Sequence, residues 1–150
     1  MRLTTLTDYA LRLLIHVGQH PERLCTIAEV AEVYGISEAH LMKITHQLGL
    51  AGWIETVRGK GGGMRLARPP AEINLGALVR SVEPDFALVE CLSGQDACRI
   101  SGRCGLSAIF DRALAAFLGE LDQHTLADLL PRAPQAVVAL PPSRRRSAQA

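Results

Sequence analysis

Between Thr26 and Leu48 the chain carries two helical stretches with almost nothing between them, and this feature restricts the fold most. Thr26-Ile27-Ala28-Glu29 is a capping box, in which the threonine hydroxyl accepts from a free backbone amide and the glutamate reaches back to the cap. The predicted helix runs through Val30 and Ala31 to Tyr34, where Gly35 supplies a left-handed stop. Ser37 then caps the next helix, whose inner face is Leu41, Ile44 and Leu48. Two short helices joined by so tight a glycine turn make a helix-turn-helix.

The flanks fit around that unit. Leu6, Ala10, Leu13, Leu14 and Val17 recur at helical spacing, predicting a helix over about residues 8–19 with Thr5 or Thr7 as its cap. After Gly52 the period changes: Trp53-Ile54-Glu55-Thr56-Val57 and Met64-Arg65-Leu66 are β-prone, separated by Arg58-Gly59-Lys60-Gly61-Gly62-Gly63 and closed by Pro69-Pro70. Asn74 caps a short helix with Leu75, Leu78, Val79 and Val82 inward, ended before Pro84. From Leu106 to about residue 121 a long helix presents a broad apolar side that includes Ile109, Phe110, Leu114 and Phe117. The expected fold is mainly α with a small β-hairpin wing, a winged helix-turn-helix.

At 150 residues, 48% apolar and 21% charged, the chain has room for one domain with a buried core and is not globally disordered. No apolar run is long enough for a membrane span and no secretory signal opens the chain, so a cytoplasmic protein with no membrane partner is expected. The net charge of +1 conceals its distribution. Residues 1–39 sum to −2, 40–68 to +4, 69–130 to −5 and 131–150 to +4. A basic segment in a mildly acidic body implies a local anionic partner, the alternative being a solvated face. The tail from 131 onward, with its prolines and Arg144-Arg145-Arg146, reads as flexible and basic.

The basic segment coincides with the helix-turn-helix and the wing. Glu38, His40, Lys43 and Gln47 face away from the apolar side of their helix and offer donors and acceptors to major-groove base edges. Helix N-termini at Thr26 and Ser37 suit phosphates. Arg58 and Lys60, with Gly61 and Gly62 removing bulk, suit a narrow minor groove. The candidate DNA contacts are therefore Thr26, Ser37, His40, Lys43, Arg58, Lys60, Gly61 and Gly62. Winged helices also serve as protein-interaction modules, and it is the wing cations that favour DNA. No phosphate-loop motif, nucleophile triad or paired carboxylates stand out, so no enzyme is expected.

Cys91, Cys98 and Cys104 lie within fourteen residues, in a stretch rich in Gly, Ser and Asp. Three thiolates in a cytosolic chain read as a metal site rather than a disulfide framework, with zinc and iron–sulfur both open. The absence of a Cys-x-x-Cys pair and the long spacings favour something larger than one ion. Cys25, Asp8, His124 and a second subunit are the candidates for a fourth ligand, although Cys25 reads as packing. His16, His20, His40, His46 and His124 form no pair read as metal-spaced.

The opening Met1-Arg2-Leu3-Thr4-Thr5-Leu6-Thr7-Asp8-Tyr9-Ala10-Leu11-Arg12, together with Val33-Tyr34-Gly35-Ile36-Ser37, resembles the NsrR group of nitric-oxide-responsive repressors. So do Val57-Arg58-Gly59-Lys60-Gly61-Gly62-Gly63, Glu83-Pro84-Asp85-Phe86 and Thr125-Leu126-Ala127-Asp128-Leu129. That group sits within a winged-helix regulator family that also includes IscR and RirA, and the resemblance covers residues 1 to about 130. It implies a homodimeric repressor of a double-stranded DNA operator, with the long helix as dimer interface. It also implies an iron–sulfur cluster, 4Fe–4S favoured over 2Fe–2S, held by Cys91, Cys98, Cys104 and Asp8 of the partner subunit. The position of the IscR histidine ligand is Ser107 here, which speaks against that ligation. On this basis the chain divides into a winged helix-turn-helix (1–82), a cysteine-bearing loop (83–105), a dimerisation helix with a helical end (106–130) and the tail (131–150). Nitric oxide is the implied signal, releasing DNA and switching on detoxification genes. An iron-responsive regulator of the same family, a zinc-stabilised winged helix and a redox carrier are the competing readings.

Overall fold

The computed structural model describes residues 2–89, 92 and 104–131. Cys91, Cys98, most of the cysteine loop and the tail from 132 lie outside the described residues. The elements follow in the order α1 (Thr5–Gln19), α2 (Ile27–Tyr34), α3 (Glu38–Leu50), β1 (Ile54–Val57), β2 (Gly63–Leu66), α4 (Leu75–Val82) and α5 (Leu106–Asp122). Short 3-10 helices occupy Pro70–Glu72 and Leu126–Leu129.

Local chemistry accounts for most boundaries. Thr26, Ser37 and Asn74 cap α2, α3 and α4, each side-chain oxygen accepting from the amide three residues on. Gly35 ends α2 at φ 64°, a conformation that costs glycine nothing. The start of α1 differs from the sequence expectation: the helix begins at Thr5, and the cap is Thr4, not Thr5 or Thr7. The reason is distant in sequence. The buried Glu83 carboxylate accepts from the Thr4 amide (3.0 Å), the Thr4 hydroxyl (3.1 Å) and the Thr7 hydroxyl (2.5 Å). A carboxylate at a helix N-terminus satisfies orphan amides and complements the dipole, so the helix extends to meet it.

β1 and β2 pair antiparallel, Ile54 opposite Leu66 and Val57 opposite Gly63. The hairpin is tied to the body by a bridge near its turn, where Cys25 and Met64 exchange both backbone hydrogen bonds (2.9 and 2.8 Å). The core gathers Ala10, Leu13, Leu14 and Val17 of α1, Val30 of α2, and Leu41, Ile44 and Leu48 of α3. Trp53, Ile54, Met64 and Leu78 close it, and Leu126 from the far end of the chain is fully buried in the same cluster. In contrast, α5 buries none of its residues. It packs one edge on α4, where Arg80 donates to both oxygens of Asp122 (2.5 and 2.7 Å).

Candidate nucleic-acid interface and sensor site

The outer face of α3 is open: Glu38, His40, Lys43 and Gln47 are all exposed, while Leu41, Ile44 and Leu48 beneath them are buried. Ser37 Oγ accepts from the His40 amide and lies 3.1 Å from His40 Nδ1. With the hydroxyl donating to Nδ1, the imidazole carries its proton on Nε2 and offers a donor. Thr26 Oγ1 accepts from the Glu29 amide at 3.2 Å, which leaves its own proton to donate.

The wing brings some of the remaining candidates beside α2 and α3. Thr26, Gly62 and Thr56 line one cleft of about 280 Å³ between the start of α2 and the hairpin. Arg58 shares a groove of about 920 Å³ with Met42, His46 and Leu50 of α3. The basic segment is not uniformly available. Arg65 is neutralised by Glu55, its cross-strand partner, at 2.8 Å. Arg68 folds back over the Trp53 ring (5.1 Å) and donates to the Gly52 carbonyl (3.2 Å). Among the described residues, Lys43, Arg58 and Lys60 form no ion pair. Gly62 serves the turn itself, because its amide donates to the Gly59 carbonyl (2.9 Å) and a Cβ there would collide with the Val57 carbonyl. Gly61 stands exposed at the tip.

Asp8 projects from the first half of α1 with its side chain half exposed (49%), paired with Arg12 at 2.8 Å. The Arg12 guanidinium lies 5.9 Å from the centre of the Tyr9 ring, and that ring lies 6.3 Å from the imidazole of His40. The helix turn that bears Asp8 thus touches α3 through side chains, a connection the linear sequence does not announce. Cys104 is half-buried just before α5, its carbonyl accepting from Ser107 Oγ (3.4 Å). Along α5, a cleft of about 520 Å³ opens between Arg2, Glu83, Phe86 and the α5 residues Phe110, Leu114 and Phe117. A set of three thiolates and a carboxylate would suit iron, and the two candidate donors among the described residues, Asp8 and Cys104, are both partly exposed.

A second group of side chains with metal-ligating atoms escaped the sequence reading. Cys25 is fully buried, as its packing role predicts, but His16 and Glu29 stand beside it. Arg23 donates to both Glu29 oxygens and holds that carboxyl down at about 2, while burial pushes the Cys25 thiol up. His16 and His20, read from sequence as no metal-spaced pair, are four apart across the end of α1, with ring centroids 4.9 Å from each other. The i,i+4 spacing was the available signal.

An exposed helix of a helix-turn-helix, flanked by a cationic hairpin on a helical core, defines a winged-helix DNA-binding transcriptional regulator. The family model described as "Iron-dependent Transcriptional regulator" matches residues 3–132, and the chain belongs to this family, Rrf2. It is 47% identical over 132 residues to the HTH-type transcriptional regulator NsrR of Bacillus subtilis (strain 168), covering 87% of this chain and 90% of that protein. Among solved structures it is similar to T. potens IscR, with a TM-score of 0.69 at 25% identity over 86% of this chain and 85% of that one. The oxidized form of Staphylococcus aureus CymR is also similar, with a TM-score of 0.72 at 26% identity over 89% and 99% of the two chains. These relatives are regulators, and the chain is a regulator rather than an enzyme.

Proposed function

We propose that the protein is a homodimeric repressor that releases its operator when nitric oxide reaches an iron–sulfur cluster. The ligands would be Cys91, Cys98 and Cys104 of one protomer and the partner subunit's Asp8, with 4Fe–4S favoured. The observation that carries the DNA part is the pairing pattern of the basic segment. Among the described residues, Arg65 and Arg68 are engaged within the chain, whereas Lys43, Arg58 and Lys60 form no ion pair. The sensing part is supported by the NsrR-like sequence together with the three cysteines and Asp8.

When bound, the cluster supplies an iron with which nitric oxide reacts. The remaining work falls to the chain. Asp8, paired here with Arg12 of its own helix, would in the dimer hold the cluster of the other protomer, and engaging or leaving that site would free or recapture Arg12. That exchange moves Arg12 and Tyr9, and Tyr9 contacts His40 on α3. In a dimer the two α3 helices must sit about 34 Å apart to meet successive major grooves, so a small rotation of each is enough to lose one half-site. The apolar side of α5, with Leu106 and Ile109 about half exposed, and the adjoining Phe86–Phe110 cleft make the dimer contact.

The deciding experiment is anaerobic purification with a visible spectrum, followed by nitric-oxide titration against operator binding. Iron chelation in parallel separates a nitric-oxide sensor from an iron-responsive regulator. Asp8→Ala is expected to weaken cluster retention or the nitric-oxide response while leaving the apo fold intact. An Asp8→Ala protein with unchanged spectrum and unchanged DNA release would sink the proposed ligation.

A further inference from the structure

Among the described residues, three side chains that can ligate a metal converge at one point, and none of them belongs to the cysteine-bearing segment 83–105. His16 near the end of α1, Cys25 in the loop that follows and Glu29 in the first turn of α2 offer donor atoms all within 4.8 Å of one another. His16 is 4% exposed and Cys25 is fully buried. His16 Nε2 and Glu29 Oε1 are 3.1 Å apart, the mutual contact that ligands adopt when no ion separates them. Bond lengths of about 2.0–2.3 Å place tetrahedral zinc ligands about 3.3–3.8 Å from each other, so the group needs only a modest contraction.

We propose that His16, Cys25 and Glu29 form a site for one zinc-class divalent cation, distinct from the cysteines 91, 98 and 104. The donor chemistry selects the ion: thiolate and imidazole disfavour magnesium and calcium and suit zinc. Binding releases the Cys25 thiol proton to solvent, and the resulting thiolate and the Glu29 carboxylate together balance the dication. Arg23, which donates to both Glu29 oxygens, retains one of them and orients the other. A water, or His20 with its ring centroid 4.9 Å from that of His16, completes the tetrahedron.

The position gives the site a consequence. Cys25 is bonded on both backbone groups to Met64 of β2 and is followed directly by Thr26, the cap of α2. A cation there fastens α1, the start of the helix-turn-helix and the turn end of the wing to one point. It stiffens the elements that carry Thr26, Arg58 and Lys60 without touching them.

The test uses the full-length, reduced, cluster-free chain carrying Cys91→Ser, Cys98→Ser and Cys104→Ser, in which Cys25 is the remaining thiol of the original four cysteines. Titration with Co²⁺ is expected to give a thiolate-to-cobalt charge-transfer band that saturates at one equivalent and is abolished by Zn²⁺. His16→Gln and Glu29→Gln should each weaken binding at least tenfold. No band from a chain whose circular dichroism is helical, or a band unmoved by both substitutions, overturns the proposal. Should the triple variant not fold, the wild-type chain with its cluster is exposed to Zn²⁺, desalted and analysed. One retained zinc per chain with unchanged iron, lost in His16→Gln, supports the site, and no retained zinc overturns it. Neither readout involves nitric oxide, so failure here leaves the sensing proposal untouched.

Discussion

Glu83 ties the first helix to the segment that enters the cysteine loop, and it does so with three hydrogen bonds from Thr4 and Thr7. Glu83→Ala leaves a buried hydroxyl and a helix-terminal amide without their acceptor, at a cost of about 2–3 kcal/mol. Urea denaturation checks this, and Glu83→Gln, which keeps an acceptor, should recover part of the loss. The caps at Thr26, Ser37 and Asn74 were legible because cap and amide are three residues apart. Thr4 caps α1 with the same spacing, its hydroxyl accepting from the Thr7 amide, but Thr5 and Thr7 stand beside it as equivalent candidates, and it is Glu83, far along the chain, that engages Thr4 and Thr7 and so selects the register. Asp8 enters as a proposed ligand only through the resemblance. Nothing in its own neighbourhood distinguishes a carboxylate four residues from Arg12 from an ordinary helix ion pair.

At the scale of elements, the wing illustrates how composition and contact divide the information. Alternating β-prone residues around a glycine-rich basic turn predict the hairpin, and the paired strands β1 and β2 follow. The individual glycines have separate reasons that composition cannot sort. Gly63 passes so close to the preceding loop that a Cβ would lie 2.6 Å from the Cys25 carbonyl oxygen, which is why this backbone position takes no side chain. The cations likewise separate only in three dimensions: Arg65 and Arg68 are occupied, whereas Arg58 and Lys60 form no ion pair among the described residues. Replacing Arg58 or Lys60 with Ala should therefore reduce the salt dependence of operator binding, by about 0.9 in log–log slope for each phosphate left without its cation. Arg65→Ala should change it little. Equilibrium binding across a salt series measures both, and equal slopes for all three variants would remove the wing from the interface.

For the whole molecule, α5 is the element whose sequence and environment disagree most. Its apolar side is long, yet none of its residues is buried, and Ile109 is 55% exposed. If α5 forms the proposed dimer contact, Ile109→Glu is expected to leave circular dichroism unchanged and to give a monomer in sedimentation where the unaltered chain gives a dimer, with loss of operator binding. What fixes α5 within one chain is polar. The Arg80 guanidinium bonds the Asp122 carboxyl and holds it below the usual carboxylate range. A carboxyl depressed in the folded state contributes stability above its unfolded value and loses it as pH falls through the folded one. Asp122→Asn should thus lower the melting temperature at neutral pH. The difference should close as the solution is acidified through the carboxylate range. A gap that persists in acid would show that packing, not the ion pair, is responsible.

The sequence by itself determined the helix-turn-helix, the hairpin and the long apolar helix, because each rests on periodicity and caps that act within a few residues. It also marked the cysteines 91, 98 and 104 as one chemical group, since their closeness is linear. Only the tertiary structure decided which cations stay unpaired, how Tyr9 meets His40, and that His16, Cys25 and Glu29 share one point. Those relations join elements whose separation along the chain bears no relation to their distance in space. The pairing of the cations is set by the register of the hairpin and the turn before it, and the other two by the packing of α1 against the helices around it, which no local pattern encodes.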